Sequence, residues 1–418
     1  MLRKLKLIEL ATLFFFSSHG IVNASETDLN YQLNTQSSMI EELKKRLVKM
    51  EAENEVQTQQ RDENILAMQK NATHARGSEA GIPLHGFTDV GYGKSSTNYG
   101  DQRANGFSIG SLDLYMAPQF GDRVRALVET VVERDVEGKS GIDLERVQLG
   151  YAFSDAVILW GGRFHTPYGY WNAAFHHGAQ IQTSLLRPKF IDFEDKGGIL
   201  PAHTVGLWGA GKVGLWSGHL GYDVYAGNGS RITSSNILDM NNDRDDNDNM
   251  AIGGNLAYHF SGNVDGLILG IHALFEEVDA YDAVPVVTSR TSLNIMGVYG
   301  YYANNDCEIL SEYYHFMNSD LVNGTGAHNS WAAFLQVGQT VVGLYTPYFR
   351  IEKADLDQKD NYFAAQTSGK SYMRQVIGLR YELNARSALK FEVNNTDQDS
   401  ATALIHYNEL RTQYSISF

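Results

Sequence analysis

The chain has 418 residues, of which 43% are hydrophobic and 20% charged, and a formal net charge of -15. No run of about 18 or more apolar residues recurs along it, which excludes a helical membrane bundle. A single cysteine, Cys307, excludes a disulfide scaffold and a cysteine-based metal site. The acidic balance offers a nucleic acid nothing broad to bind. With 40 Gly, 23 Tyr and 19 Phe against 7 Pro, the composition suits a β-rich protein, either secreted or a barrel in an outer membrane.

Residues 1–24 carry the marks of an export signal. Arg3, Lys4 and Lys6 form a basic start, Leu7 to Phe16 a mostly apolar core broken by Glu9, and Val22-Asn23-Ala24 a small-residue cleavage site. The apolar run is too short to span a bilayer, and no cysteine follows it to accept a lipid. Residues 25–70 then read as a helix. Leu29, Leu33, Ile40, Leu43, Leu47 and Met50 recur at alternating four- and three-residue steps, with Gln36 in one core slot. So narrow an apolar seam needs a partner helix, so a self-associating periplasmic coiled coil is expected. Past Met50 the register meets Asn54, Gln57, Arg61 and Asn64, and the seam weakens. Gly77, Gly81 and Pro83 mark 71–83 as a linker.

From Leu84 to Phe418 the period is two. In Leu389-Lys390-Phe391-Glu392-Val393-Asn394 the apolar side chains share one face and the polar ones the other, and Leu410 to Phe418 repeats the pattern. About sixteen strands are expected, near 84–93, 106–117, 123–134, 142–153, 157–165, 203–212, 217–227, 250–260, 266–278, 291–303, 307–317, 330–341, 345–354, 372–383, 387–396 and 407–418. Alternate connections are tight, such as Ser154-Asp155-Ala156 and Asn384-Ala385-Arg386. Those between are long and polar: 94–105, 166–202, 228–249, 279–290, 318–329, 355–371 and 397–406. Loops sorted by parity are the mark of a transmembrane β-barrel, all-β and antiparallel, and a soluble sandwich has no reason for them. Open edges cannot exist in hydrocarbon, so the last strand must pair with the first. Tyr313, Tyr314, Trp331, Tyr345 and Tyr381 are candidate girdle residues.

Together these segments resemble a bacterial trimeric porin, and in particular the type with an N-terminal periplasmic coiled coil, as in DcaP-like porins. The wider resemblance is to phosphate-selective and general porins. It implies an outer-membrane homotrimer of sixteen-stranded barrels among lipid and lipopolysaccharide, each with its third extracellular loop folded into the lumen. Small hydrophilic solutes or ions would pass by diffusion. Here the third loop, 166–202, is also the longest, and it carries Tyr168, Tyr170, Trp171, Phe175, Phe190, Ile191 and Phe193. An inward-folded constriction loop accounts for both its length and its apolar content.

The face opposite the apolar one must look into the lumen. That places Arg125, Glu129 and Glu133, Arg146 and Gln148, and Arg163 and His165 on one wall. Arg350 and Glu352, Arg374 and Arg380, Lys390 and Glu392, and Arg411 and Gln413 line the other. With Arg187, Lys189, Asp192, Glu194 and Asp195 of the loop, these residues supply candidates for the pore constriction. Opposed charges across a narrow neck would orient solutes and set ion selectivity.

No cofactor is expected. His165, His176, His177 and His203 cluster in or beside the loop without recognised ligand spacing, and the Asp-rich run 239–248 lacks the Gly and Glu of a calcium loop. No Ser–His pairing or phosphate-binding Gly loop points to an enzyme. Two other roles stay open: a substrate-specific channel stacking an anionic or ringed solute on Tyr168, Tyr170, Trp171 and Phe175, and a non-conducting barrel tethered to peptidoglycan or another envelope partner through the coil.

Overall fold

The computed structural model describes residues 84–96, 105–134, 140–175, 179–239, 244–245, 247–283, 286–304, 306–400 and 403–418, with Ser37, Ile40, Glu41, Lys44 and Lys45. The chain divides into two units, Met1–Gly81 and Ile82–Phe418. In the first, the five described residues are helical and exposed. The export signal, the linker and most of the expected coiled coil lie outside the described residues.

The second unit is a closed antiparallel barrel of sixteen strands. In chain order these are β1 (His85–Ser95), β2 (Gly106–Met116), β3 (Val124–Arg134), β4 (Ser140–Ser154), β5 (Val157–His165), β6 (His203–Leu215), β7 (Gly218–Gly227) and β8 (Ala251–His259). They continue as β9 (Leu267–Ala283), β10 (Val286–Ala303), β11 (Cys307–Asp320), β12 (Ala327–Gln339), β13 (Tyr345–Asp355), β14 (Tyr372–Asn384), β15 (Ser387–Asp399) and β16 (Leu404–Ser417). Each strand pairs with its sequence neighbours, and β16 pairs with β1 from Phe87↔Ser417 to Ser95↔Glu409. Gly86 and Phe418 complete the seam by exchanging both backbone hydrogen bonds at 3.0 Å. Every strand edge is thereby paired, as a wall surrounded by lipid requires. Two short segments add to the wall: Gln119–Phe120 folds back on β3, and Arg231–Ile232 runs parallel to β9.

Alternation sorts the side chains as the sequence foretells. Leu149, Leu207 and Ile377 are 67%, 72% and 66% exposed on the outer surface, while inward-facing Glu312, Arg350 and Glu352 are buried to 1% or less. Two girdle pairs stack outside, Tyr345 on Tyr381 at 4.8 Å and Tyr313 on Trp331 at 6.2 Å. Tyr314, expected beside them, instead faces inward and is fully buried, because adjacent strand residues point to opposite faces.

The structure corrects one connection. Residues 279–290, expected as a long loop, are mostly strand, since β9 and β10 run on to Ala283 and from Val286. Asp279 and Arg290 face each other across the hairpin in a two-pronged ion pair of 2.5 and 2.6 Å. β-branched Val286, Val287 and Thr288 suit the pleat, so a segment that reads as polar loop pairs as a ribbon.

Gly86 tests the seam. A Cβ there would meet the Asp113 carbonyl at 2.5 Å and the Phe418 ring at 2.7 Å, so Gly86→Val must push β1, β2 and β16 apart. Such overpacking costs about 1–3 kcal/mol. The expected result is a loss of the compact, fast-migrating band in unheated gels relative to wild type.

Candidate functional site

The described residues of the connection between β5 and β6, 166–175 and 179–202, pack inside the barrel. They form the short helix α1 (Trp171–Ala174) and two single turns at Lys189–Ile191 and Glu194–Lys196. Tyr168, Trp171, Phe175, Phe190, Ile191, Ile199 and Leu200 are buried in one apolar cluster with Tyr314, Phe316 and Phe334 of the wall. The connection 356–371 folds in above it, placing Tyr362 and Phe363 in the same cluster and donating from the Tyr362 hydroxyl to the Ile199 carbonyl at 2.6 Å. Against that wall the lumen is therefore a packed core. Tyr168 and Trp171 are enclosed, whereas Tyr170 stays half-buried and stacks on Tyr301 at 4.0 Å.

A backbone buried this way must find a partner for each N–H and C=O, and the charged residues of the far wall supply them. Glu312 accepts from the N–H groups of Tyr170 at 3.1 Å and Trp171 at 2.6 Å. Glu392 accepts from Leu185 and Leu186 at 3.0 and 3.3 Å, and Glu352 from Lys189 at 2.8 Å. Cations take the carbonyls. Lys390 donates to Ala179, Gln182 and Ser184, Arg380 to Gln180 and Gln182, and Arg350 to Leu186 and Arg187. Arg350 also donates to Ser184 Oγ, Gln336 and Glu352. Gly169 is left-handed at φ +61°, and a Cβ on it would lie 2.2 Å from Glu312 Oε2. Only glycine lets the chain approach that carboxylate so closely.

A second charged group holds the two ends of the loop. His165 and His203 end β5 and begin β6 as a cross-strand pair, with ring centroids 5.5 Å apart. His203 Nε2 lies 2.7 Å from Glu145, and its Nδ1 lies 3.6 Å from Glu194. His165 sits 3.7 Å from Glu129, which also pairs with Arg146, and Arg163 donates to the Glu145 carbonyl at 3.0 Å. Glu145 is the extra residue of a bulge opposite Glu129 and Thr130. The bulge turns both Glu145 and Arg146 toward the interior and reverses the parity that a plain reading of β4 assumes.

The remaining candidates divide by environment. Arg187 is buried within the loop, donating to the Ile191 carbonyl and to Asn172 and lying 4.2 Å over the Phe193 ring. Lys189 bonds Gln398 and Tyr407. Burial pushes both cations below their ordinary pKa and pushes Asp192 up. Burial also opposes ionisation of Glu194, but the charge and hydrogen bond of His203 outweigh it and hold the carboxyl below its usual range. Asp195 is raised to about 7, by burial against the pull of Lys196 and with the push of Glu133.

A smaller set keeps contact with open lumen. Arg125 and Arg411 are half-buried, and the side chains of Arg146, Lys196 and Glu133 are 25%, 28% and 16% exposed. Lys196 reaches from the loop to Glu133 at 2.7 Å, and Arg411 bonds Glu409 at 2.9 Å. Among the described residues, no three or more His, Cys, Asp or Glu side chains are arranged to hold a metal ion. Sequence reasoning passed over Glu312 and Glu145. Glu312 sits on the inward parity of β11 and was open to the same argument, whereas the bulge at Glu145 has no sequence mark.

Arg350 tests the cradle. Arg350→Met would strip five partners from a fully buried position at a cost of about 3–5 kcal/mol. Trypsin should then cut the folded barrel after Lys189, a site packed under the wall in the wild type, and Arg350→Lys should restore only part of that protection.

No protein-family model matches the chain, and no curated protein does. Solved structures do. An anion-selective porin from Comamonas acidovorans superposes with a TM-score of 0.56 at 11% identity, over 81% of this chain and 99% of the other. The outer membrane channel DcaP of Acinetobacter baumannii gives 0.55 at 13%, over 82% and 99%. In-vitro folded OmpT of Vibrio cholerae, in its trimer form, gives 0.50 at 10%, over 81% and 99%. The fold is that of bacterial outer-membrane porins.

Proposed function

We propose that the protein is an outer-membrane porin, through which small hydrophilic solutes or ions diffuse along the part of the lumen that loop 166–202 leaves open. One observation carries this reading. The loop packs against β11–β15, while charged side chains on β3, β4 and β16 keep contact with water across from it. A plug would bury both walls.

In this reading the aperture is bordered by the Glu194–Lys196 turn, which Lys196 ties to Glu133, and by the wall carrying Arg125, Arg146 and Arg411. Arg163, His165, Arg187, Lys189, Asp192, Glu194, Arg350 and Arg380 fix the loop that sets its width. Residues 1–24 direct export, the long-loop rim faces outward, and the helical segment within 25–70 stands in the periplasm. A homotrimer is consistent with the trimer form of the Vibrio protein.

Conductance across a planar bilayer under a tenfold salt gradient tests the proposal. Stepwise openings in groups of three are expected, and folded protein that never conducts would overturn the reading and leave a sealed tether. The aperture should also sense pH. Asp195, raised to about 7, is neutral below that pH and negative above it. The reversal potential should therefore move toward cation preference between pH 6 and pH 8, and Asp195→Asn should abolish most of that movement.

A further inference from the structure

Two histidines far from the loop stems form a pair that the porin reading does not use. His219 is the second residue of β7, just past the tight turn at 216–217, and His259 ends β8. They stand directly opposite each other across the ladder. Both lie on the inward parity that Asp223 and Asn255 share higher on the same strands, and both are half-buried. Their rings stack with centroids 4.3 Å apart and planes 12° from parallel. No hydrogen bond engages either imidazole among the described residues. Gly221, the next inward position on β7, puts no side chain beside the ring of His259, where a Cβ would already touch Nε2 at 3.7 Å.

We propose that His219 and His259 form a two-imidazole site for a borderline-soft divalent transition metal, Zn2+, Cu2+ or Ni2+, at the short-turn mouth of the lumen. Imidazole nitrogen suits these ions, while oxygen donors suit Mg2+ and Ca2+. Two ligands from adjacent strands fix half of a tetrahedral or square set, and lumen water completes it. The stacked rings must splay about their side-chain torsions so that both lone pairs meet one ion, and the open lumen side gives room for that turn. Lys212, inward on β6 opposite Gly221, repels any cation by charge. Binding there rests on coordination and discriminates against hard ions.

Calorimetry on the folded full-length protein in detergent tests this without reference to transport. Zn2+, Cu2+ or Ni2+ should bind at one site per chain, more weakly as pH falls because protons compete for the nitrogens. Mg2+ should give no heat. Each variant takes away half of the protein's ligands, so His219→Ala and His259→Ala should each remove that site. In bilayers, metal added on the short-turn side should reduce wild-type current, with EDTA restoring it and neither variant responding. Binding that persists unchanged in both variants, or equal binding of Mg2+, would overturn the site. A barrel that binds metal without conducting would overturn the porin reading and leave this inference standing.

Discussion

The structure turns on one constraint: a loop of 37 residues placed inside a barrel loses water from its backbone, and each N–H and C=O must find another partner. Apolar packing of Trp171, Phe190 and Ile191 favours the inward position but satisfies none of those groups. The far wall does so with ions. Its carboxylates take loop N–H groups and its cations take loop carbonyls, each a charge-assisted bond stronger than a neutral one. Lys390 shows the arrangement at its limit, fully buried with its donors spread over three carbonyls. Inward charge in this barrel is thus of two kinds, one holding the loop and the other facing the passage.

That division explains which parts of the site could be read from sequence. Strand number, the parity of the loops and the inward face all follow from a period of two, and the structure has sixteen strands near the expected places. Parity fixes a face but says nothing of what lies against it. Arg350 and Arg146 are equivalent by that criterion, yet one is sealed beneath the loop and the other reaches open lumen. The bulge at Glu145 defeats parity locally. The β9–β10 ribbon misleads for another reason: Asp279 and Arg290 read as loop residues singly and stabilise a hairpin as a pair.

The two ends of the loop are held by different physics from its middle. Glu129, Glu145 and Glu194 meet His165, His203, Arg146 and Arg163 in a small volume where β5 and β6 leave the sheet. Ion pairs buried this deeply add little net stability over apolar packing but strongly disfavour misalignment. They suit a place where position matters more than strength, beside the Glu194–Lys196 turn that borders the open lumen.

The cradle also dictates an order of assembly. The wall groups that satisfy the loop backbone lie between 141 and 211 residues downstream of it. Until β11–β15 are in place, the carbonyls and N–H groups of the loop have only water to bond. Contacts this distant along the chain form late and slowly. Seating of the loop, arrival of β13–β15 and the joining of β16 to β1 therefore belong to one cooperative closing step, and a barrel caught before it is both unsealed at its edge and unfilled at its centre.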